Sequence, residues 1–318
     1  MRAALAVVVA AFATHASSAP RLQVLGFQSD YSPSSLVDRN AHALTMVGVD
    51  GINLTGRGAV SGPSQDARAQ LARARADHLP AVLLLGNWSE RMNDFSEPLA
   101  YKTLGSPAAV SAAAVAVAKA ARGWDGVSID LESLAPRDRS GLRAFVADLR
   151  GDLPNEMTLT ICLEAFTSTA SYAANGYDLH AIAGNVNEVV LMTYDDHGTW
   201  STPGPVGPLA WQRASVAALE RVVPRRQIFL GAADYGYDWH PNNFLTVTQA
   251  RALVRRSHGT PHWVAAAGEW TAKLHDGTTI WWSDARSVAL RLALARKLGL
   301  YGAAIWSLGT GDPIPSSS

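Results

Sequence analysis

The sequence predicts a single (β/α)8 barrel, and two observations carry that prediction, while a third marks one strand as unusual. Apolar, strand-like runs recur eight times between helix-like segments. The chain has 318 residues, 48% hydrophobic and 17% charged, enough for one barrel core without a second domain. The fourth run alternates apolar and polar residues, although both faces of a parallel strand in an α/β protein are ordinarily apolar. An open doubly wound sheet is the competing architecture. It usually carries a Gly-rich phosphate loop after its first strand, which Gly26-Phe27-Gln28-Ser29 does not supply.

The N-terminus comes first. Met1-Arg2 gives a charged start, residues 3–13 are apolar, and Thr14 to Ala19 are mostly small. This pattern predicts a signal peptide over residues 1–19 and a catalytic domain over 20–318. The apolar run is short for a permanent anchor. The strand-like runs are 22–27, 46–54, 81–88, 126–132, 158–165, 188–195, 227–233 and 302–308. Helical patterns lie between them at 64–77, 107–122, 136–151, 211–222, 248–257 and 283–298, with Pro at several starts and Gly beyond several ends. One interval breaks the rhythm. Between Gly268 and Trp282, Asp276-Gly277 separates two strand-like runs, which predicts a small hairpin inserted in the seventh βα loop. The last residues, 313–318, read as a frayed tail.

Formal net charge is zero, so nothing points to nucleic acid or an anionic membrane as partner. The nine His show no metal-ligand spacing, no phosphate loop or nucleophile elbow is present, and no metal or cofactor is expected. Cys162 is the single cysteine and reads as a buried structural thiol. A monomer is expected. The 10 Trp lie mostly in the second half; besides filling cores, flat indoles make platforms for the apolar faces of sugars.

The chemistry sits in the fourth run, Asp125-Gly126-Val127-Ser128-Ile129-Asp130-Leu131-Glu132. Residues two apart on a strand share a face. Val127, Ile129 and Leu131 therefore make one apolar face, and Ser128, Asp130 and Glu132 line up on the other. Inward-facing carboxyls are costly unless they hydrogen bond or share a proton, which marks a functional site.

This octapeptide resembles the Asp-Gly-apolar-Asp/Asn-apolar-Asp-x-Glu signature of family 18 glycoside hydrolases, with Ser128 the departure. Met192-Thr193-Tyr194-Asp195 at the end of the sixth run resembles the family's Met-x-Tyr-Asp motif. Trp306 in the eighth run occupies the place where the family sets the floor of its central sugar subsite. Further stretches resemble the branch of bacterial spore-germination and spore-cortex N-acetylglucosaminidases: 203–208, Tyr235-Gly236-Tyr237-Asp238-Trp239, 282–287 and 309–313. Two departures from that branch are the lack of LysM repeats and Ala233 where Pro is frequent.

The resemblance implies a retaining, substrate-assisted hydrolysis of a β-linked N-acetylglucosamine polysaccharide by an exported protein, secreted, periplasmic or wall-associated. Peptidoglycan, chitin and N-glycan cores all remain open as substrates. Glu132 would be the general acid, Asp130 would orient the substrate acetamide, and Tyr194 and Asp195 would hold its carbonyl oxygen. Met192, Ser128, Tyr235 and Trp306 are expected to contact substrate. Glu164 shares a face with Cys162, and pocket lining and a barrel-mouth ion pair are both open for it. Ser128, in place of a carboxyl, is expected to leave Asp130 permanently charged. A non-hydrolytic glycan-binding lectin is the alternative, in a family whose lectins usually lose the Glu that is kept here.

Overall fold

The computed structural model describes residues 21–316; the segment expected to be a signal peptide lies outside them. Eight parallel strands form the barrel: β1 (Gln23–Ser29), β2 (Met46–Gly56), β3 (Ala81–Gly86), β4 (Gly126–Asp130), β5 (Thr158–Glu164), β6 (Glu188–Met192), β7 (Ile228–Ala233) and β8 (Gly302–Trp306). Strand β1 pairs with both β2 and β8, so the sheet closes and the open-sheet alternative falls. The predicted third run extended to Trp88, but the barrel strand stops at Gly86. Trp88–Ser89 leaves to pair with Asp94–Phe95, and Asn53 holds the Trp88 N–H at 2.7 Å.

Local chemistry explains where the helices start. Ser64 caps helix Gln65–Ala76, accepting from the Ala67 N–H. Thr246 and Gln249 form a reciprocal capping box on helix Val247–Arg256. Asp284 caps the last helix, Ala285–Lys297, through two backbone N–H groups. The outward strand residues and the inner helix faces share one apolar cluster that includes Val47, Leu83, Ile129 and Ile161. A second cluster fills the barrel interior with Leu25, Phe27, Val82, Leu84, Cys162, Val190, Met192, Phe229 and Ala304. Such a barrel is a packed core whose loops at the C-terminal ends of the strands build the site.

The insertion after β7 contains the predicted hairpin, Glu269–Lys273 with Thr279–Trp282, turning at Gly277 with φ +89°. It is two strands of a larger unit. The five-stranded antiparallel sheet also includes Phe244–Leu245, Gly236–Trp239 and His262–Val264, with helix Val247–Arg256 packed on it. The run 235–239, noticed first as a motif, is one of the sheet's inner strands, with Tyr237 paired to Trp281. The tail corrects an expectation. Ile314 is buried, and its N–H donates to Asn40 Oδ1 at 2.8 Å, because the chain end closes over the first helix, Ser35–Asn40.

Candidate active site

Strand β4 delivers Asp130 to the mouth of the barrel, and Glu132 follows just beyond its end. Asp130 is buried, and its Oδ1 has no hydrogen-bond partner. Glu132 is half-buried, and its carboxyl makes no hydrogen bond to the described protein. Its backbone, by contrast, is held firmly. Buried Asn87 accepts the Glu132 N–H at 3.0 Å and donates to the Glu132 carbonyl at 3.0 Å. The chain then turns at Ser133, φ +58°, whose N–H donates to Glu164 Oε1 at 2.9 Å.

Every charged neighbour that shifts these carboxyls is acidic. Burial, then the charge of Asp50, pushes Asp130 up to about 7. Burial, then Asp130, raises Glu132 well above the ordinary range, with smaller contributions from Glu164, Asp195 and Asp94. An acid that stays protonated near neutrality can donate to a leaving group. The expectation of a permanently charged Asp130 is therefore corrected: burial and the Asp50 charge both favour its neutral form.

The end of the sixth strand supplies the adjoining wall. Tyr194 is half-buried and packs edge-on against Tyr235, with ring centroids 6.2 Å apart. Asp195 sits in the left-handed region, φ +66°, and that turn swings its carboxyl toward the insertion. There Tyr235 and Tyr237 both donate to Asp195 Oδ1, at 2.7 and 2.9 Å. Burial lifts Asp195 to about 6, while these two hydrogen bonds pull the other way. Exposed Trp200 stands over Tyr237 with ring centroids 5.7 Å apart.

Trp306 at the end of β8 is half-buried and packs on Phe27, with Met192 in the same interior cluster. Met192 is buried in that cluster. Two expectations are corrected. Ser128 is fully buried one step below Asp130, where its hydroxyl meets Cys162 Sγ at 3.6 Å, so it cannot reach a ligand. Tyr235 is 1% exposed with its hydroxyl committed to Asp195, which leaves it no surface for a ligand. For Glu164 the structure decides against a salt bridge: it fixes the turn that follows Glu132.

Three features escaped sequence reasoning. Asn87 is one; Asp50 on β2, the acidic neighbour of Asp130, is another. The third is a buried pair. Glu269, in the insertion hairpin, accepts the N–H groups of Val206 and Gly207 at 2.7 and 2.8 Å, and Arg291 of the last helix binds it at 2.9 Å. Arg291 also donates to the carbonyls of Gly207 and Ala267. The proline-rich loop after Asp195 is thereby tied to the insertion and to the barrel's outer wall. An open groove lined by Val115, Trp124, Pro154 and Met157 lies at the opposite end of the barrel, far from these groups.

The description "Glycosyl hydrolases family 18" matches this chain over residues 3–311. Among curated proteins, the putative sporulation-specific glycosylase YdhD of Bacillus subtilis is 30% identical over 202 residues, covering 60% of this chain and 48% of that protein. The cortical fragment-lytic enzyme of Bacillus anthracis is 26% identical over 206 residues, covering 60% and 48%. The chain thus spans about half the length of these two relatives. Among solved structures, a chitinase from Chromobacterium violaceum superposes with a TM-score of 0.83 at 28% identity, over 92% of this chain and 96% of that one. The Bacillus cereus spore cortex-lytic enzyme SleL superposes with a TM-score of 0.80 at 21% identity, over 93% and 72%, a likeness of fold.

Proposed function

The chain belongs to the glycosyl hydrolases of family 18, and from that premise we propose that it is a retaining glycosidase that cleaves β-linked N-acetylglucosamine in a wall or chitin-like polysaccharide. The observation that carries this reading is the line of Asp130 and Glu132 along one face at the barrel mouth, where burial and Asp130 raise Glu132 above the ordinary carboxyl range. Two carboxyls this close on one strand do not flank a glycosidic bond from opposite sides, as an acid and an independent nucleophile or base would have to. The nucleophile is then the substrate's own acetamide oxygen. Glu132 gives its proton to the leaving glycosidic oxygen as the acetamide carbonyl closes on the anomeric carbon. Asp130 orients the acetamide N–H and balances the positive charge that develops there. The free hydroxyl of Tyr194 donates to the acetamide oxygen, and Asp195 frames the same corner. Water opens the oxazolinium ring, with Glu132 now acting as base, and the β-configuration is restored.

Trp306 forms the floor under the reacting sugar. The relatives named for cortex lysis and for chitinase activity support a glycan of this class. The cortex-lytic names of relatives, with the signal-like N-terminus, support an exported protein. The test is to incubate the protein with chitin oligosaccharides and with purified peptidoglycan, and to follow the first products by NMR before mutarotation. A β-anomer at the new reducing end is expected. An initial α-anomer from a β-linked substrate would show inversion and overturn the mechanism. Binding of both glycans without any cleavage would make the protein a lectin.

A further inference from the structure

We infer that Asp50 is a positioning residue for Asp130: the two carboxyls share one ionisable proton, and Asp50 supplies the acidic neighbour that Ser128 does not. The inference rests on the reading of Asp130 as the group that orients the substrate acetamide. It begins with the register of the barrel. Asp50 pairs with Leu84 on β3, and Leu84 pairs with Ser128 on β4. Strands in such a barrel are tilted, so a side chain stands level with one about two residues further along the next strand but one, and each interior layer takes its members from alternate strands. Moving from Ser128 by that step reaches Asp130. Asp50, Asp130, Met192 and Trp306, from β2, β4, β6 and β8, are thereby the four members of the layer that floors the pocket.

Three features of the structure keep that line open between the two carboxyls. The strand between them contributes Gly86 at its top, a position without a side chain, paired with Asp130 on one flank and with Asn53 on the other. Register slips between Asp50 and Ile52, so the bulge at Gly51 ends the inward alternation of β2 on Asp50. A Cβ on Gly51 would press on Leu83 at 2.9 Å and Ala67 at 3.2 Å, which fixes the bulge against helix Gln65–Ala76. Asp130 Oδ1, fully buried, lacks any hydrogen-bond partner, and Asp50 makes no side-chain hydrogen bond among the described residues.

The remaining groups around the pair cannot take over this part. Asp130 is faced by Glu132 beyond its own strand, by Cys162 and Glu164 of β5, by Tyr194 after β6 and by Tyr177. Glu164 is engaged with Ser133, and burial keeps the Cys162 thiol protonated. Asp50 is faced in addition by Asp30 after β1. Burial, then the Asp30 charge, raises Asp50 to about 6, and burial, then the Asp50 charge, raises Asp130 to about 7. When Asp130 ionises to accept the acetamide N–H, the proton resides on Asp50, and the buried layer keeps a single negative charge.

The experiment is a carbon-13 NMR titration of side-chain carboxyls in protein labelled at aspartate, with the two signals assigned by their loss in Asp50→Asn and Asp130→Asn. In Asp50→Asn the Asp130 midpoint should fall by about one pH unit. In Asp130→Asn the Asp50 midpoint should fall by the same amount, because coupling is reciprocal. An unmoved midpoint in either folded variant overturns the inference, so one well-folded variant is sufficient. This readout does not depend on turnover. If the wild-type protein fails to cleave chitin oligosaccharides or peptidoglycan, the proposed function falls while the titration still decides the pairing. In an active protein, Asp50→Asn should also move the acidic limb of kcat/KM downward, and Ser128→Asp placed in that background should move it back.

Discussion

Asn87 grips Glu132 by both ends of its peptide, accepting the N–H and donating to the carbonyl, each at 3.0 Å. The side chain that would donate the proton thus has a backbone fixed by a neighbouring strand's loop, while its own carboxyl stays free of protein partners. Asn87→Ala should lower kcat by about tenfold to a hundredfold with little change in KM, because a misplacement near one ångström costs that much when orientation is the contribution. Steady-state kinetics on a chitin oligosaccharide check it. A rise in KM at constant kcat would show that Asn87 only shapes binding.

Glu132→Gln should reduce hydrolysis by about a hundredfold or more while glycan affinity persists. The comparison uses a β-N-acetylglucosaminide with a poor leaving group, alongside binding measured by intrinsic tryptophan fluorescence. Retained turnover would remove Glu132 from the role of acid.

Tyr235→Phe and Tyr237→Phe each delete one of the two hydrogen bonds that counter the upward push of burial on Asp195. Both substitutions should raise the Asp195 midpoint above its value of about 6, and the double variant should raise it furthest. A carboxyl titration reads this directly. An Asp195 midpoint that is unmoved or lower in the double variant would mean that the tyrosines do not support the ionised form.

Arg291→Met leaves Glu269 buried without its cation. Breaking a buried pair from one side typically costs about 3–5 kcal/mol, and urea unfolding should show a loss of that order. Glu269→Gln with Arg291→Met should recover part of it, since no uncompensated charge then remains.

Stability should depend on pH with a definite sign. Asp50 and Asp195 are raised to about 6 and Asp130 to about 7, from an ordinary value of 3.8. Between pH 4 and 7 the folded state holds protons that the unfolded chain has released, so stability should fall as pH rises through that window. Thermal melts at several pH values test this, and Asp130→Asn should flatten the slope. A midpoint that climbs from pH 4 to 7 and is indifferent to Asp130→Asn would contradict the raised values.

What the sequence made legible is what lies close along the chain. The alternation of residues 125–132 exposes Asp130 and Glu132 because strand periodicity is local, and the eight runs are readable for the same reason. Asn87, Asp50 and Glu269 were not legible. Asn87 acts on a residue that follows another strand, Asp50 meets Asp130 only through the tilt of a closed barrel, and Glu269 reaches back to a loop more than sixty positions earlier. Tyr235 was expected to contact a substrate, but its hydroxyl is turned to Asp195, since a motif conveys proximity without direction. The insertion was underestimated because Asp276-Gly277 advertises one hairpin, whereas Gly236–Trp239 joins that hairpin by a pairing with no short-range signal.

Glu269 and Arg291 also bear on how this chain can change over time. The pocket wall after Asp195, the inserted sheet and the last barrel helix meet on one ion pair and share its backbone contacts. None of the three segments is an independent module. A hairpin without a carboxylate at position 269 would strand the Arg291 guanidinium, and a new loop must present two N–H groups at the same spacing or leave Glu269 short of partners. Change at this wall therefore has to arise by linked substitutions, or be confined to residues such as Trp200 that hang beyond the clamp.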